Sequence, residues 1–204
     1  MAVFDHLAVA CASLDDDAPA LEALLGVPLE PGGKHTQMGT HNRLLSLGNG
    51  EYFELIAIDP EGQKPDRPRW FALDSFDGPP AVQSWILRCD DMAQALAQAP
   101  SGTGTAVPFR RDALTWEFAL PDSGVLPFDN CAPALIAWGP GVPHPSTRLP
   151  DRGVRLVALT LSHPRASALE AALAPLISDP RVTVVTGAPG LSATFDTPGG
   201  RKTL

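Results

Sequence analysis

The stretch from His35 to Pro60, HTQMGTHNRLLSLGNGEYFELIAIDP, gathers the residues of this chain best suited to chemistry. Within its last part, Tyr52-Phe53-Glu54-Leu55-Ile56-Ala57-Ile58, Glu54 interrupts an otherwise apolar run. Burying an ionised carboxylate is costly unless a cation, a metal or hydrogen-bond donors meet it. Groups able to do so lie close by: His6 upstream, and His41, Asn42 and Arg43 in the preceding run. The same residue types suit three roles: a plain ion pair with Arg43, an imidazole general base oriented by a carboxylate, or the first donors to a divalent metal.

The element that positions them is a β-hairpin. Asn49-Gly50 sits between two runs of alternating, mostly apolar residues, a strong short-range hairpin signal. Register then decides which residue faces Glu54. A two-residue turn over Asn49-Gly50 pairs Leu45 with Glu54 and puts His41 and Arg43 on its face, whereas a three-residue turn over 48–50 puts Asn42 and Leu44 there.

Further along the chain, three strand-like runs (3–10, 82–89 and 154–162) each precede a helical segment, at about residues 15–25, 91–97 and 165–177. The first helix has Asp15, Asp16 and Asp17 at its positive end and Gly26 just past its C-terminus. Shorter strands are expected near 105–107, 114–120, 134–138, 181–186 and 191–195. The order strand, helix, short strands restarts roughly every 70–80 residues, which points to duplicated βαβββ units. The boundaries expected are 1–78 for a first unit, 79–150 for a second, and 151–204 for a partial third unit or appended cap packed on the same domain. The fold class is therefore α+β, built on tandem βαβββ units.

Composition narrows the function. The chain has 204 residues, 44% hydrophobic and 19% charged, with a net charge of -8, and no basic cluster exceeds a pair such as Arg110-Arg111. Nucleic acid is an unsuitable partner for such a surface. Three cysteines without a CxxC pair point to a reducing compartment. The N-terminal run MAVFDHLAVACASLDDD lacks a basic region and reads as a strand and helix cap rather than a signal peptide. No apolar stretch is long enough to span a bilayer. A cytoplasmic protein is expected, with no membrane partner. No phosphate loop or dinucleotide fingerprint is present, so no nucleotide cofactor is expected.

Asp5-His6-Leu7, Gly33-Lys34-His35, Met38-Gly39-Thr40-His41-Asn42 and Tyr52-Phe53-Glu54-Leu55-Ile56 together resemble the glyoxalase-like domain family of bacterial proteins, within the glyoxalase, bleomycin resistance and dioxygenase (vicinal oxygen chelate) superfamily. In the second unit the resemblance runs through Trp85-Ile86-Leu87-Arg88, Arg111-Asp112 with Leu114-Thr115-Trp116, Leu126-Pro127-Phe128, and Ile136-Ala137-Trp138 followed by His144-Pro145, although Arg111-Asp112 suits a solvated turn better than an anion site and His144 reads as a loop-entry residue. It implies that the tandem βαβββ units form a cupped mixed β-sheet, whose pocket takes a small organic molecule, and lyase, isomerase or oxygenase chemistry. It also implies a divalent metal (Zn, Mn, Fe or Ni) held by a His of the first strand and a Glu of the last strand of each unit. Carried onto this chain, the metal and catalytic positions are His6 and Glu54. The second unit departs from the pattern: the position matching His6 is Trp85, and the strand 134–138 holds no acid. His35 or His41 would have to complete a ligand set. His41, Asn42, Trp85 and Trp116 are expected to line the pocket, although Trp85 and Trp116 suit an apolar core equally well. The missing second-unit ligands keep a non-catalytic protein that sequesters a drug or metabolite as the competing reading. Exposed sheet edges in this fold also make a homodimer an open expectation.

Overall fold

A computed structural model describes all 204 residues. Two sheets carry the chain. The larger has eight strands in the order β2-β3-β4-β1-β5-β8-β7-β6 and curls into an open half-barrel. Its first half is β1 (Val3–Ala10), α1 (Leu14–Leu25), β2 (Glu30–His35), β3 (Thr40–Gly48) and β4 (Glu51–Ile58). Its second half is β5 (Ala81–Arg88), α2 (Met92–Gln98), β6 (Thr105–Arg111), β7 (Leu114–Leu120) and β8 (Ala134–Trp138). β1 and β5 pair antiparallel at the centre, and each has the last strand of its own unit, β4 or β8, parallel on its other side. This is the expected tandem βαβββ arrangement, closed into one cup.

The local reasons are those of the sequence. The Ser13 side chain accepts from the Asp16 N–H at the start of α1, and Gly26 ends the helix in the left-handed conformation at φ 74°. Leu14, Ala18, Leu21 and Leu25 recur on one helical face and are buried. β1 and β4 are buried along nearly their whole length because both faces of the sheet are covered. The face turned to the helices, carrying Leu7, Phe53, Leu55 and Trp85, forms the main core; the concave face carries Ala8, Ile56, Ile86, Phe118 and Ile136.

Two edge strands are longer than their composition suggests. Gly33-Lys34-His35, a turn by composition, lies within β2, and β6 runs through Pro108 to Arg111. Both lie at the ends of the sheet, where a missing N–H or an irregular residue breaks no ladder on the outer side.

The C-terminal region is β9 (Arg155–Ser162), α3 (Ala166–Leu173), β10 (Val182–Val185), β11 (Gly190–Thr197) and β12 (Gly200–Thr203), in a second sheet of order β10-β9-β11-β12. It has one strand more than the sequence suggests, and β9 lies between two strands of its own region, β10 and β11, whereas β1 and β5 each pair with only the last strand of their own unit, so its strand order differs from that of the first two units. It packs on the helix side of the large sheet, where Phe195 meets Phe53 at 6.0 Å between ring centroids. No helix is long and apolar enough to cross a membrane.

Candidate functional site

The hairpin settles which residue meets Glu54. The turn is two residues long, with Asn49 at φ 51° and Gly50 at φ 79°. A bulge follows at once: Gly48 pairs with Glu51 but Ser46 pairs with Tyr52, leaving Leu47 over. The extra residue shifts the register by one, so Leu44 lies opposite Glu54 and Asn42 shares its face. Asn42 Nδ2 donates to Glu54 Oε1 at 2.5 Å. The amide is oriented from behind, since the Gly33 N–H donates to Asn42 Oδ1 at 2.8 Å. Only glycine fits alongside: a Cβ at Gly32 would stand 2.0 Å from Asn42 Oδ1. The same shift sends Arg43 to the other face, where it pairs with Asp15 at 2.9 Å. His41 goes with it, beside Lys34 and Asp59 on an open groove. The expected pocket residue His41 is therefore outside the cavity, and the Arg43–Glu54 ion pair does not form.

A second irregularity brings Asp5 and His6 together. The register of β1 against β5 slips between Phe4 and His6, so Asp5 has no cross-strand partner and both neighbours turn toward the cup. Asp5, fully buried, receives His6 Nδ1 on Oδ1 at 2.6 Å and the Trp138 Nε1–H on Oδ2 at 3.1 Å. His144 Nε2 lies 2.9 Å from the same Oδ2, while its Nδ1 accepts the Ser146 N–H at 3.3 Å. The His144 proton thus sits on Nε2 and goes to Asp5. Burial by itself would raise the Asp5 carboxyl, but the hydrogen bonds of His144 and His6 and their Coulombic pull hold it well below the usual carboxylate range.

With Nδ1–H of His6 given to Asp5, its Nε2 faces Glu54 Oε2 at 3.6 Å. Tyr52 stacks on the imidazole, with centroids 4.3 Å apart and planes 14° apart. Burial, with the charges of Asp5 and Glu54, pushes the Tyr52 phenol well above its ordinary value, so it stays protonated.

The cavity around these groups is lined by His6, His35, Asn42, Tyr52 and Glu54 from the first unit and by Arg111, Trp116, Phe118 and Trp138 from the second, with Trp70 and Phe71 from the intervening segment. It measures about 460 Å³ counting its open mouth. The segment over it is held under strain: Phe71 and Ala72 sit at φ 58° and 56°. Arg69 pins it by bonding Asp74 Oδ1 at 2.6 Å and the Met38 carbonyl at 3.0 Å.

Trp116 lines the cavity as expected; Trp85 does not. It pairs with Leu7 on the helix-facing side, fully buried, and its Nε1 donates to the Cys131 carbonyl at 2.9 Å. The β5 residue beside His6 is Ile86, one position on. His144, read from the sequence as a loop-entry residue, and Arg111, read as a solvated turn rather than an anion site, are both brought to the site. Their partners are remote in the chain: His144 reaches Asp5 across 139 positions, and Arg111 meets His35 across 76. The cysteines stay out of it. Burial pushes the Cys11 thiol up to about 12 and the Cys89 thiol up to about 11, far from a reactive thiolate.

The metal expectation finds too few donors. No group of three or more His, Cys, Asp or Glu side chains is placed to hold an ion. His6 and Glu54 supply two donors, His35 Nε2 is taken by Arg111 Nη1 at 3.3 Å, and the second unit offers Ile136, Trp116 and Trp138 where donors would be needed. This donor set does not fit a resident divalent metal, for which three or four protein ligands are usual.

A family model described as a glyoxalase-like domain matches residues 4–177. The chain belongs to the glyoxalase-like domain family. That places it in the vicinal oxygen chelate superfamily. No curated protein matches it in sequence. Among solved structures it is similar to a hypothetical protein from Staphylococcus aureus, with TM-score 0.65 and 14% identity over 93% of this chain and 88% of that one. It is also similar to methylmalonyl-CoA epimerase from Mycobacterium tuberculosis, with TM-score 0.46 and 20% identity over 69% of this chain and 89% of that one. At such identities the likeness speaks for the glyoxalase-like fold alone.

Proposed function

We propose that this glyoxalase-like protein holds a small polar organic molecule in the cup and moves a proton on it. His6 and Glu54 are the acid–base pair. The observation that carries the reading is the chain Asp5–His6–Glu54, with Nδ1 of His6 anchored at 2.6 Å and Nε2 opposite Glu54 at 3.6 Å inside an aromatic cavity. In this role His6 Nε2 takes a proton from a carbon acid of the ligand. The imidazolium so formed lies between two carboxylates, and the proton returns to carbon or passes to Glu54. Positioned acid–base catalysis of this kind contributes about 10²–10⁴-fold. Asn42 holds Glu54 in place, and Tyr52 holds the plane of His6. No step passes through a metal. A cavity of this size suits a small molecule, with any longer part leaving through the mouth.

The test is solvent-deuterium incorporation, followed by proton NMR, into a set of small 2-oxo and 2-hydroxy acids and neutral ketones. Exchange catalysed by the wild type and lost in both His6→Ala and Glu54→Gln is the expected result. Nine of the fifteen lining residues are hydrophobic, which favours a second reading, sequestration without turnover. That reading requires saturable binding with no exchange, and a larger loss of affinity from Trp116→Ala than from Glu54→Gln.

A further inference from the structure

We propose that the end of the cavity formed by Arg111, His35 and Trp70 is a carboxylate-binding subsite, so that the molecule taken there is a small organic acid. The inference rests on the cup being the ligand pocket and names the class of ligand.

Arg111 ends β6 and lines the cavity half-buried. It forms no ion pair, whereas Arg43, Arg69, Arg152, Arg155, Arg181 and Arg201 each lie within 3 Å of a carboxylate. Its side chain bonds a neutral partner instead: Nη1 donates to His35 Nε2 at 3.3 Å. The other ring nitrogen of His35 is engaged by Thr40 Oγ1 at 3.1 Å. Burial, and next the Arg111 charge, push the His35 imidazole down to about 3, so this neighbour is uncharged at neutral pH. A guanidinium keeps its charge at every accessible pH, and a partly desolvated one without a counter-ion is unfavourable.

The second observation is independent. The indole N–H of Trp70 is buried and has no acceptor. Leaving such a donor unpaired is unfavourable. The Trp70 ring meets the same His35 edge to face, at 5.1 Å between centroids. One imidazole therefore touches both a cation lacking an anion and a donor lacking an acceptor. Two outstanding donors match the two oxygens of a carboxylate, which a planar guanidinium binds with good geometry. Gly33 leaves room for the arginine, because a Cβ there would stand 3.0 Å from its Cδ and Nη1. His35 Nε2 is 4.0 Å from Glu54 Oε1, so an acid anchored at Arg111 presents its neighbouring carbons to Glu54 and His6.

The test is a titration of the intact protein, read by tryptophan fluorescence, with matched acids and amides such as pyruvate with pyruvamide and lactate with lactamide. We expect the best acid to bind about tenfold or more tightly than its amide at low ionic strength, this preference to vanish in Arg111→Gln, and Trp70→Phe to weaken the acid about threefold. The wild-type comparison stands even if a variant fails to fold. Equal binding of acids and amides, no saturable binding of any acid, or a preference that survives Arg111→Gln in folded protein overturns the subsite. An acid that binds in this way yet exchanges no deuterium leaves the subsite standing and removes the proton-transfer reading. Neutral ketones that exchange deuterium while acids fail to bind do the reverse.

Discussion

Asp5 Oδ1 lies 2.6 Å from His6 Nδ1, a contact between successive residues of one strand. In a regular strand neighbours point to opposite faces and cannot meet in this way. The slip in register after Phe4 permits it, and it converts a buried acid and a buried histidine into a unit in which the carboxylate selects the tautomer. We expect Asp5→Asn to lower proton exchange about 10²-fold or more while the fold persists by circular dichroism, because the amide can donate its N–H to His6 Nδ1 and so leave the imidazole proton on Nε2, where the base is needed. Since the Asp5 carboxyl is held below its unfolded-state value, its contribution to stability is complete above about pH 4 and is lost only as pH falls further.

Asn42 and Glu54 should separate stability from chemistry. Asn42→Leu strands a buried carboxylate and is expected to cost about 1–3 kcal/mol, measured by urea unfolding. Glu54→Gln removes the charge that must otherwise be desolvated, so stability is expected to hold or rise while exchange is abolished. Adding Asn42→Leu to Glu54→Gln should then cost less than it does alone, and the difference in a double-mutant cycle reads the coupling.

The two tryptophans at positions 85 and 116 are expected to behave oppositely. Trp85→Ala opens a cavity in the fully buried core and leaves the Cys131 carbonyl unpaired, at a cost of about 3–5 kcal/mol. Trp116→Ala removes a wall of the pocket, where it stacks on Phe109 at 5.7 Å, and should weaken ligand binding more than it lowers the melting temperature. Thermal unfolding and fluorescence titration on the two variants distinguish these outcomes.

His35 sets an acid limit. Its folded-state value is pushed down to about 3, by burial first and by Arg111 next, against about 6.5 in the unfolded chain. Between these values the unfolded state binds a proton that the folded state refuses, so stability falls as pH drops from about 6.5 toward 3, by up to about 1.4 kcal/mol per pH unit. Urea midpoints recorded from pH 7 to 4.5 should decline in the wild type and decline less in His35→Gln.

The hairpin explains how much of this site was legible in advance. Glu54 announced itself as a carboxylate in an apolar strand, and Asn49-Gly50 marked the turn. The two-residue turn alone selects the register that puts His41 and Arg43 beside Glu54; the bulge at Leu47 reverses it and installs Asn42. Gly48 adopts φ 74°, and a Cβ there would stand 2.6 Å from Arg155 Nε, so the bulge is tied to packing against a residue more than one hundred positions away. A similar one-residue offset moved Trp85 into the core and left Ile86 beside His6. Side-chain alternation makes each such slip all-or-none.

By itself the sequence determined the tandem βαβββ architecture, the hairpin, the helix ends and the identity of His6 and Glu54 as buried polar groups on apolar strands. Each of these depends on neighbours a few residues apart, where periodicity and capping act. Only the tertiary structure decided that Asp5, His144 and Arg111 join the site and that His35, not His41, faces Glu54. Their partners come from the far side of the sheet, from bulges and from edge strands, and hydrogen bonds closed across 76 and 139 positions leave no periodic trace in the chain.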